Sequence, residues 1–372
     1  MSSSFDICIR GSGVVASTLA LLLARQRLKI ALVGQSPVSD DVRAYALNAR
    51  SRELLSELRC WPDELLATPV QSIQVWGDAG GQVQFQAPSF LGLTHIVDVP
   101  KLESLLADAI TFQPTIQRVT SAVEARLTVV CEGRHSATRQ ALGVDYNTLP
   151  YAQTALATRV RCATPHRAQA LQWFAQSQGE LDILALLPLG GPNGDEAAVV
   201  WSMSSSKAHE LQQLSIDKLS HAITQASHET LGAVQVCSAV KAWPLQLARA
   251  EHWSGEFDTD HAWVLAGDAA HSIHPLAGLG LNLGLADASE LATVLQEREA
   301  TAYWRSVGDR YLLRKYERSR KAGLLATWLA CDGLQRLFNH PHAAVQTLRN
   351  WGLNSFNQSS LLKRWTIDQA MH

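Results

Sequence analysis

The stretch FDICIRGSGVVASTLALLLARQRLKIALVG, residues 5–34, decides the fold class of this chain. The apolar run FDICIR predicts a short buried strand, and STLALLLARQRL predicts the helix that follows it. KIALVG then predicts a second strand, so the glycines fall at the turn between the first strand and the helix. This order of elements indicates a βαβ unit built on a parallel sheet.

The glycine-rich turn has the pattern G-x-G-x-x-A at Gly11, Gly13 and Ala16. In such a turn the first glycine permits the sharp bend, the second lets a pyrophosphate approach the backbone, and the third small residue lets helix and strand pack closely. The helix N-terminus adds free N–H groups and a positive dipole end. We therefore expect a bound dinucleotide rather than a merely tight turn. Gln35 replaces the usual ribose-binding carboxylate and could still hydrogen-bond a ribose hydroxyl.

A second motif, GDAAHSIHPLAGLGLNLG at residues 267–284, indicates that the dinucleotide is a flavin. Gly267 and Asp268 end a predicted buried strand, where a carboxylate can accept hydrogen bonds from ribityl or ribose hydroxyls. The next residues suit a backbone that lies against a flat ring system, and the candidate cofactor contacts among them are Pro275, Gly278, Gly280 and Asn282. The helix predicted from Leu281 would turn its N-terminal amides toward the flavin.

The histidines of this motif, His271 and His274, are spaced so that they could bind a metal from one helical face. No third ligand lies near them in the sequence, so we predict no metal site. His274 and Pro275 are instead the candidates for a role beside the flavin. No catalytic acid or base is assigned.

Together these motifs make the chain similar to the class A flavoprotein aromatic monooxygenases, and within them to the ubiquinone-biosynthesis hydroxylases, which have a para-hydroxybenzoate-hydroxylase-like fold. Further matching segments are DVRAYALNARSRELLSELRCW at 41–61, EGRHSATRQALGV at 132–144, WPL at 243–245 and YERSRKA at 316–322. The resemblance implies that Arg43 lies near the flavin and that Glu132 belongs to a motif used for FAD and nicotinamide contacts. The chain departs from the family pattern at Gln35, Val99, Glu132 and Leu279, and at Glu132 its side chain is one methylene longer than the aspartate of the family's Asp-Gly motif.

The fold implied by the resemblance is α/β, with an FAD-binding Rossmann-like (GR2-type) domain, an inserted, mostly antiparallel β-sheet substrate domain and C-terminal helices. The expected boundaries are 1–70, 96–150 and 255–320 for the FAD domain, 71–95 and 151–254 for the substrate domain, and 321–372 for the helical region. Local patterns predict a hairpin at 70–85, strands at 151–163, 183–191 and 196–204, one helix at 209–230, and helix from Leu285 onward with breaks near Pro341 and Gly352.

The implied function is hydroxylation of a phenolic, polyprenylated ring by FAD, with NAD(P)H as a transient reductant and O₂ as co-substrate, in ubiquinone biosynthesis. Two alternatives stay open. The departures could mark a non-catalytic accessory subunit that scaffolds other hydroxylases. The enzyme could also act on a small soluble aromatic acid, in which case a compact pocket with a cationic carboxylate clamp is expected.

Composition limits the partners of the protein. The net charge is −2 over 372 residues, so no strong positive field attracts nucleic acid. No basic signal sequence follows Met1, and the longest apolar runs are too short to span a bilayer. We expect a cytoplasmic protein, and peripheral contact with the inner membrane or membership of a ubiquinone-biosynthesis complex stays open. The basic run 310–321 is either a solvated helix face or a surface for anionic lipid or an acidic protein.

Overall fold

The computed structural model contains three β-sheets and a set of α-helices packed around them. It describes residues 5–34, 41–63, 65–78, 80–177, 180–272 and 280–339, with side chains of the last helix described up to residue 325. The helices are α1 (Val14–Arg25), α2 (Ala49–Glu57), α3 (Val99–Thr111), α4 (Ala137–Ala141), α5 (Ser205–Gln212), α6 (Ile216–Ala226), α7 (Gly280–Thr301) and α8 (Arg310–Asn339).

The first sheet has six strands and carries the βαβ unit that the sequence predicts. Its spatial order is β16 (Ser254–Glu256), β17 (Ala262–Leu265), β9 (Ala125–Val130), β1 (Phe5–Arg10), β2 (Ile30–Val33) and β8 (Ile116–Val119). All neighbours are parallel except β16 and β17. The central strands of this sheet are mostly apolar and buried, and the main hydrophobic core lies between the sheet and the helices that pack on it.

The second sheet is mostly antiparallel and has nine strands. Its order is β18 (His271–Ser272), β15 (Lys241–Ala250), β10 (Tyr146–Cys162), β13 (Glu196–Ser204), β12 (Glu180–Pro188), β11 (Gln169–Ser177), β5 (Ser72–Trp76) and β6 (Gln82–Gln86), with β14 (Val234–Val236) beside β10. A third sheet joins β3 (Ala44–Leu47), β7 (His95–Asp98) and β4 (Ala67–Pro69). The expected α/β class with a mostly antiparallel second sheet is confirmed.

The main differences from the sequence-based expectations concern helix ends. The single helix expected over 209–230 is two helices, α5 and α6, because Ser215 caps α6 by accepting a hydrogen bond from the Lys218 amide. The helix expected to start at Leu281 begins at Gly280, and the helix expected from Leu285 onward is interrupted by a turn at 302–309 that separates α7 from α8. The breaks expected near Pro341 and Gly352 lie outside the described residues. No described helix combines the length and the apolar character needed to cross a bilayer.

Candidate functional site

A cleft of about 1220 Å³ lies between the carboxyl ends of the parallel strands and one face of the nine-stranded sheet. Eight of the residues that the sequence singles out line it: Gly13, Ala16, Arg43, Val99, Gly267, Asp268, Gly280 and Asn282. Gln35, His274, Pro275, Gly278 and Leu279 lie outside the described residues. Because open parallel sheets bind ligands at the carboxyl ends of their strands, this cleft is the candidate site.

The backbone at the end of β1 can accommodate no side chain at its first glycine. Gly11 has φ +128°, and an added Cβ would overlap the carbonyl oxygen of Cys131. Gly13 caps α1 without a side-chain hydrogen bond, so the first amides of the helix face the cleft unpaired. This cradle fits a pyrophosphate group.

A carboxyl group that the sequence analysis missed lies over this cradle. Glu103, from α3, has its Oε1 3.8 Å from where a Cβ on Gly13 would lie, and it lines the cleft. Burial raises the pKa of Glu103 above its ordinary value, although the nearby Arg43 opposes that shift. A part-buried carboxyl group is therefore one of the walls of the phosphate cradle.

Arg43 borders the cleft as half of an ion pair. Its Nε donates to both carboxylate oxygens of Asp41, at 2.9 and 2.7 Å. Burial alone would raise the pKa of Asp41, but the hydrogen bonds and charge of Arg43 outweigh burial and hold that pKa below its ordinary value. The pair fixes the guanidinium against the cleft, and Asp41 was not predicted as a site residue although it begins the segment 41–61.

The carboxylate of Glu132 is turned into its own loop. It accepts hydrogen bonds from the Ser136 hydroxyl at 2.7 Å, from the Thr138 hydroxyl at 2.6 Å and amide at 2.9 Å, and from Arg10 Nε at 3.1 Å. Its neighbours Cys131 and Gly133 line the cleft. Glu132 therefore shapes the loop that forms the cleft wall, and its direct contact with a cofactor stays a prediction.

Asp268 lies in a short 3₁₀ turn, Gly267–Ala269, that two outside groups hold in place. The Tyr146 hydroxyl donates to the Asp268 carbonyl at 2.8 Å, and the buried Arg139 donates to the Ala269 carbonyl at 3.0 Å. The Asp268 side chain is exposed to the cleft. Partial desolvation by the surrounding protein raises the pKa of its carboxyl group, and nearby cations act against this shift. These bonds fix the backbone that carries the Asp268 carboxylate, which can accept hydrogen bonds from ligand hydroxyl groups.

The buried carboxylate of Asp287 fixes the same turn from behind. It accepts hydrogen bonds from the Gly267 amide at 2.8 Å, His271 Nε2 at 2.7 Å and Arg320 Nε at 2.6 Å. Burial alone would raise the pKa of Asp287, but the charges and hydrogen bonds of His271 and Arg320 hold it below its ordinary value. The ring of His271 also stacks on Trp253, with the centroids 5.1 Å apart.

Several of these functional side chains were not predicted from the sequence, although some of them lie in or next to the motifs of the family. Asp287 follows the glycine motif directly, and Arg320 belongs to YERSRKA, so motif membership was an available signal. His271 is engaged by Asp287, and no group of three or more potential ligands in the described residues could hold a metal ion.

Asn282 links the start of α7 to the segment that carries Arg43. Its side-chain oxygen accepts hydrogen bonds from the Asn48 amide at 2.9 Å and the Ser51 hydroxyl at 2.8 Å, and its nitrogen donates to the Ala46 carbonyl at 2.7 Å. The side chain is thus used within the protein, and its predicted contact with a cofactor stays a prediction.

The nine-stranded sheet presents uncharged and mainly apolar side chains to the cleft, many of them alanine. One cross-strand row is Ala157, Val200, Ala185, Gln172 and Val75. Further cleft-lining alanines are Ala155, Ala170 and Ala198. None of the described residues of this sheet that line the cleft is charged. The bulky residues of the same strands, such as Trp173 and Trp201, point to the opposite face and pack in a separate core. The cleft therefore has a broad, apolar floor.

Comparison with known proteins agrees with this geometry. A family model described as an FAD binding domain matches residues 85–326. The chain is 28% identical to ubiquinone hydroxylase UbiL of Rhodospirillum rubrum, covering 98% of this chain and 89% of that protein. It is 26% identical to 3-demethoxyubiquinol 3-hydroxylase of Escherichia coli, covering 98% of each chain.

Two solved structures share the fold. The p-nitrophenol 4-monooxygenase PnpA of Pseudomonas putida has a TM-score of 0.77 at 15% identity, with 99% of this chain and 98% of that chain covered. PqsL of Pseudomonas aeruginosa in complex with 2-aminobenzoylacetate has a TM-score of 0.74 at 21% identity, with 94% and 100% covered. The family resemblance read from the sequence motifs is confirmed, and the chain belongs to the FAD-binding-domain family of flavoprotein monooxygenases.

Proposed function

We propose that the protein is an FAD-dependent monooxygenase that hydroxylates a phenolic ring with a long apolar substituent, using NAD(P)H and O₂, in ubiquinone biosynthesis. The named relatives support this assignment because a ubiquinone hydroxylase and a 3-demethoxyubiquinol 3-hydroxylase are similar to this chain over nearly its whole length. The observation that carries the substrate class is the uncharged, alanine-rich floor of the cleft opposite the cofactor cradle.

The floor favours an apolar substrate over a small aromatic acid. A binding site for an anionic substrate requires a positioned cation, since an unpaired buried carboxylate is costly. Of the arginines that line the cleft, Arg43 is paired with Asp41 and Arg320 with Asp287. The other two, Arg50 in α2 and Arg134 in the loop after β9, lie outside the nine-stranded sheet, so the floor itself offers no cation. A volume of about 1220 Å³ also exceeds what a compact pocket for one small ring needs beside a flavin.

The residues present fit FAD, which when bound supplies the redox chemistry that activates oxygen. The amides at the start of α1 would hold the pyrophosphate, and Asp268 would accept hydrogen bonds from ribityl hydroxyls. Gly280 at the start of α7 leaves space where the ring system would approach, since an added Cβ there would meet no atom of the described residues within 4 Å. The apolar floor would exclude water from the reacting atoms.

The test is to purify the protein, supply FAD, and follow NADPH oxidation and product formation with a prenylated phenol and with a small hydroxybenzoate. Stimulated oxidation and hydroxylation of the prenylated phenol alone are expected. Failure to hold FAD in excess would favour the non-catalytic accessory subunit. Preference for the hydroxybenzoate would favour the small-aromatic alternative.

We propose the partners and the domain division on the same basis. An apolar substrate favours contact with a membrane surface or membership of a biosynthetic complex. The domain boundaries proposed from the sequence place β5, β6 and most of β10–β15 in the substrate domain and the six-stranded sheet in the FAD domain. Limited proteolysis with and without FAD would test this division, since FAD should protect only the cuts within its own domain.

A further inference from the structure

The outward face of α8 carries positive charge that the described protein does not neutralise. The other cations of its first half are paired, as Lys315–Glu297, Arg320–Asp287 and Lys321–Glu317. Arg310, Arg314 and Arg318 are exposed, and among the residues that the structure describes none of them forms an ion pair. Their spacing of four residues places them in one stripe along the helix.

Three exposed aromatic side chains adjoin this stripe. Tyr303, Trp304 and Tyr311 are 71%, 70% and 60% exposed. The rings of Tyr303 and Trp304 meet edge to face with their centroids 5.6 Å apart. Arg305 connects them to Tyr311, since its Cζ lies 5.4 Å from the centroid of that ring. The α8 outer surface is defined here as Tyr303, Trp304, Arg310, Tyr311, Arg314 and Arg318.

We propose that the α8 outer surface binds the headgroup layer of an anionic lipid bilayer. Tryptophan and tyrosine favour the interface between membrane and water, because each has an apolar ring and a polar tip. Unpaired arginines are attracted to anionic headgroups. Over 310–325, where the side chains of α8 are described, no carboxylate is among the exposed residues, and exposed Leu325 extends the same face.

The position of α8 favours a bilayer over an acidic protein. Arg320 and Gly323 line the cleft from the inner side of the same helix. A helix with its side chains is about 10 Å across, so only α8 separates its outer surface from the cleft. This argument rests on the proposed function, because a substrate with a long apolar substituent resides in the membrane. Docking through α8 would bring the cleft next to that source of substrate.

The test is co-sedimentation of the full-length, FAD-supplemented protein with phosphatidylcholine vesicles that either contain or lack phosphatidylglycerol. The protein should bind the anionic vesicles, bind neutral vesicles far less, and be released by salt. Replacing Arg310, Arg314 and Arg318 by glutamine should lower partitioning onto anionic vesicles about fivefold per arginine, on the order of 100-fold in total. Trp304→Ser should reduce the binding that persists at high salt.

The matched control replaces three arginines elsewhere, Arg27, Arg59 and Arg167, which are also exposed. This variant has the same net charge as the first, so it should retain most of the vesicle binding. Equal losses in both variants would overturn the proposal. The proposal would also be overturned if the wild-type protein does not bind anionic vesicles, which is the outcome expected if the surface binds an acidic protein instead.

A parallel assay separates this proposal from the proposed function. Hydroxylation of a water-soluble, short-chain phenol without vesicles should be unchanged in the α8 triple variant, whereas turnover of a long-chain phenol embedded in anionic vesicles should fall. If the wild type turns over neither phenol but still binds anionic vesicles through these arginines, the proposed function fails and the membrane surface stands.

Discussion

Replacing Asp287 by asparagine should lower the free energy of unfolding by about 3–5 kcal/mol, the usual cost of removing one partner from a buried ion pair. Asp287 is fully buried, and its carboxylate accepts from Gly267, His271 and Arg320. Asparagine has only one acceptor oxygen, and its NH₂ group would face one of the donors that now binds the second carboxylate oxygen. The Arg320 guanidinium, whose side chain is 13% exposed, would lose its counter-charge.

The same change should weaken FAD binding, because the Gly267 amide is one of the groups that fix the turn carrying Asp268. We expect the dissociation constant for FAD to rise at least about tenfold, which corresponds to 1.4 kcal/mol. Urea denaturation gives the stability, and titration of flavin fluorescence gives the affinity. The control is Glu297→Gln, which breaks the exposed pair with Lys315 and should cost no more than about 1 kcal/mol.

The reasoning would be refuted if Asp287→Asn cost no more than Glu297→Gln, since the buried network would then contribute little. Loss of stability with unchanged FAD affinity would refute the second step alone. It would show that the turn at Gly267 keeps its shape without Asp287.

Three further outcomes are expected. Gly11→Ala should weaken FAD binding by more than tenfold, because its Cβ would overlap the Cys131 carbonyl. The control is Gly143→Ala, which also has a positive φ, of +66°, but whose Cβ would meet no described atom within 4 Å; it should leave flavin titrations unchanged. Ala185→Phe should fill the cleft floor and lower kcat/KM for a prenylated phenol while leaving the flavin dissociation constant unchanged. Burial and the neighbouring Arg52 lower the pKa of His95 from 6.5 to about 4, so this side chain is neutral in the folded protein above pH 4. Below pH 6.5 the unfolded chain binds a proton that the folded protein does not, so the free energy of unfolding should fall by up to about 3 kcal/mol between pH 6.5 and 4. Denaturation curves of His95→Phe across this pH range should show a smaller loss than wild type.

Local sequence patterns identify the parts of the fold that depend on near neighbours. The turn at Gly11 is predictable because strand, glycine and helix lie within about thirty residues of each other, as a βαβ unit requires. Strand β11 was assigned to no element from the sequence. Its parallel partner is β5, with Gln172 opposite Val75, and periodicity within one segment does not report such distant pairing.

The candidate site shows the same limit at the level of single side chains. Asp268 is recognisable because it ends a strand within a glycine-rich motif, but the groups that hold it come from remote segments. Arg139 reaches the turn from α4, Tyr146 reaches it from the start of β10, and Asp287 reaches it from α7. A carboxylate inside an apolar helix pattern signals only that some partner exists, because burying it alone is costly. The identity of that partner follows from packing.

The replacement of the family's aspartate by Glu132 illustrates how packing changes the meaning of a departure. From the sequence, the longer side chain suggested an altered cofactor contact and supported a non-catalytic role. In the structure its carboxylate is satisfied by Ser136, Thr138 and Arg10, and these hydrogen bonds outweigh the desolvation that would otherwise raise its pKa. The extra methylene is therefore accommodated within the loop, and the loop still places Gly133 at the cleft wall. Because the carboxylate at this position is fully used within the loop, the replacement does not by itself favour the non-catalytic alternative.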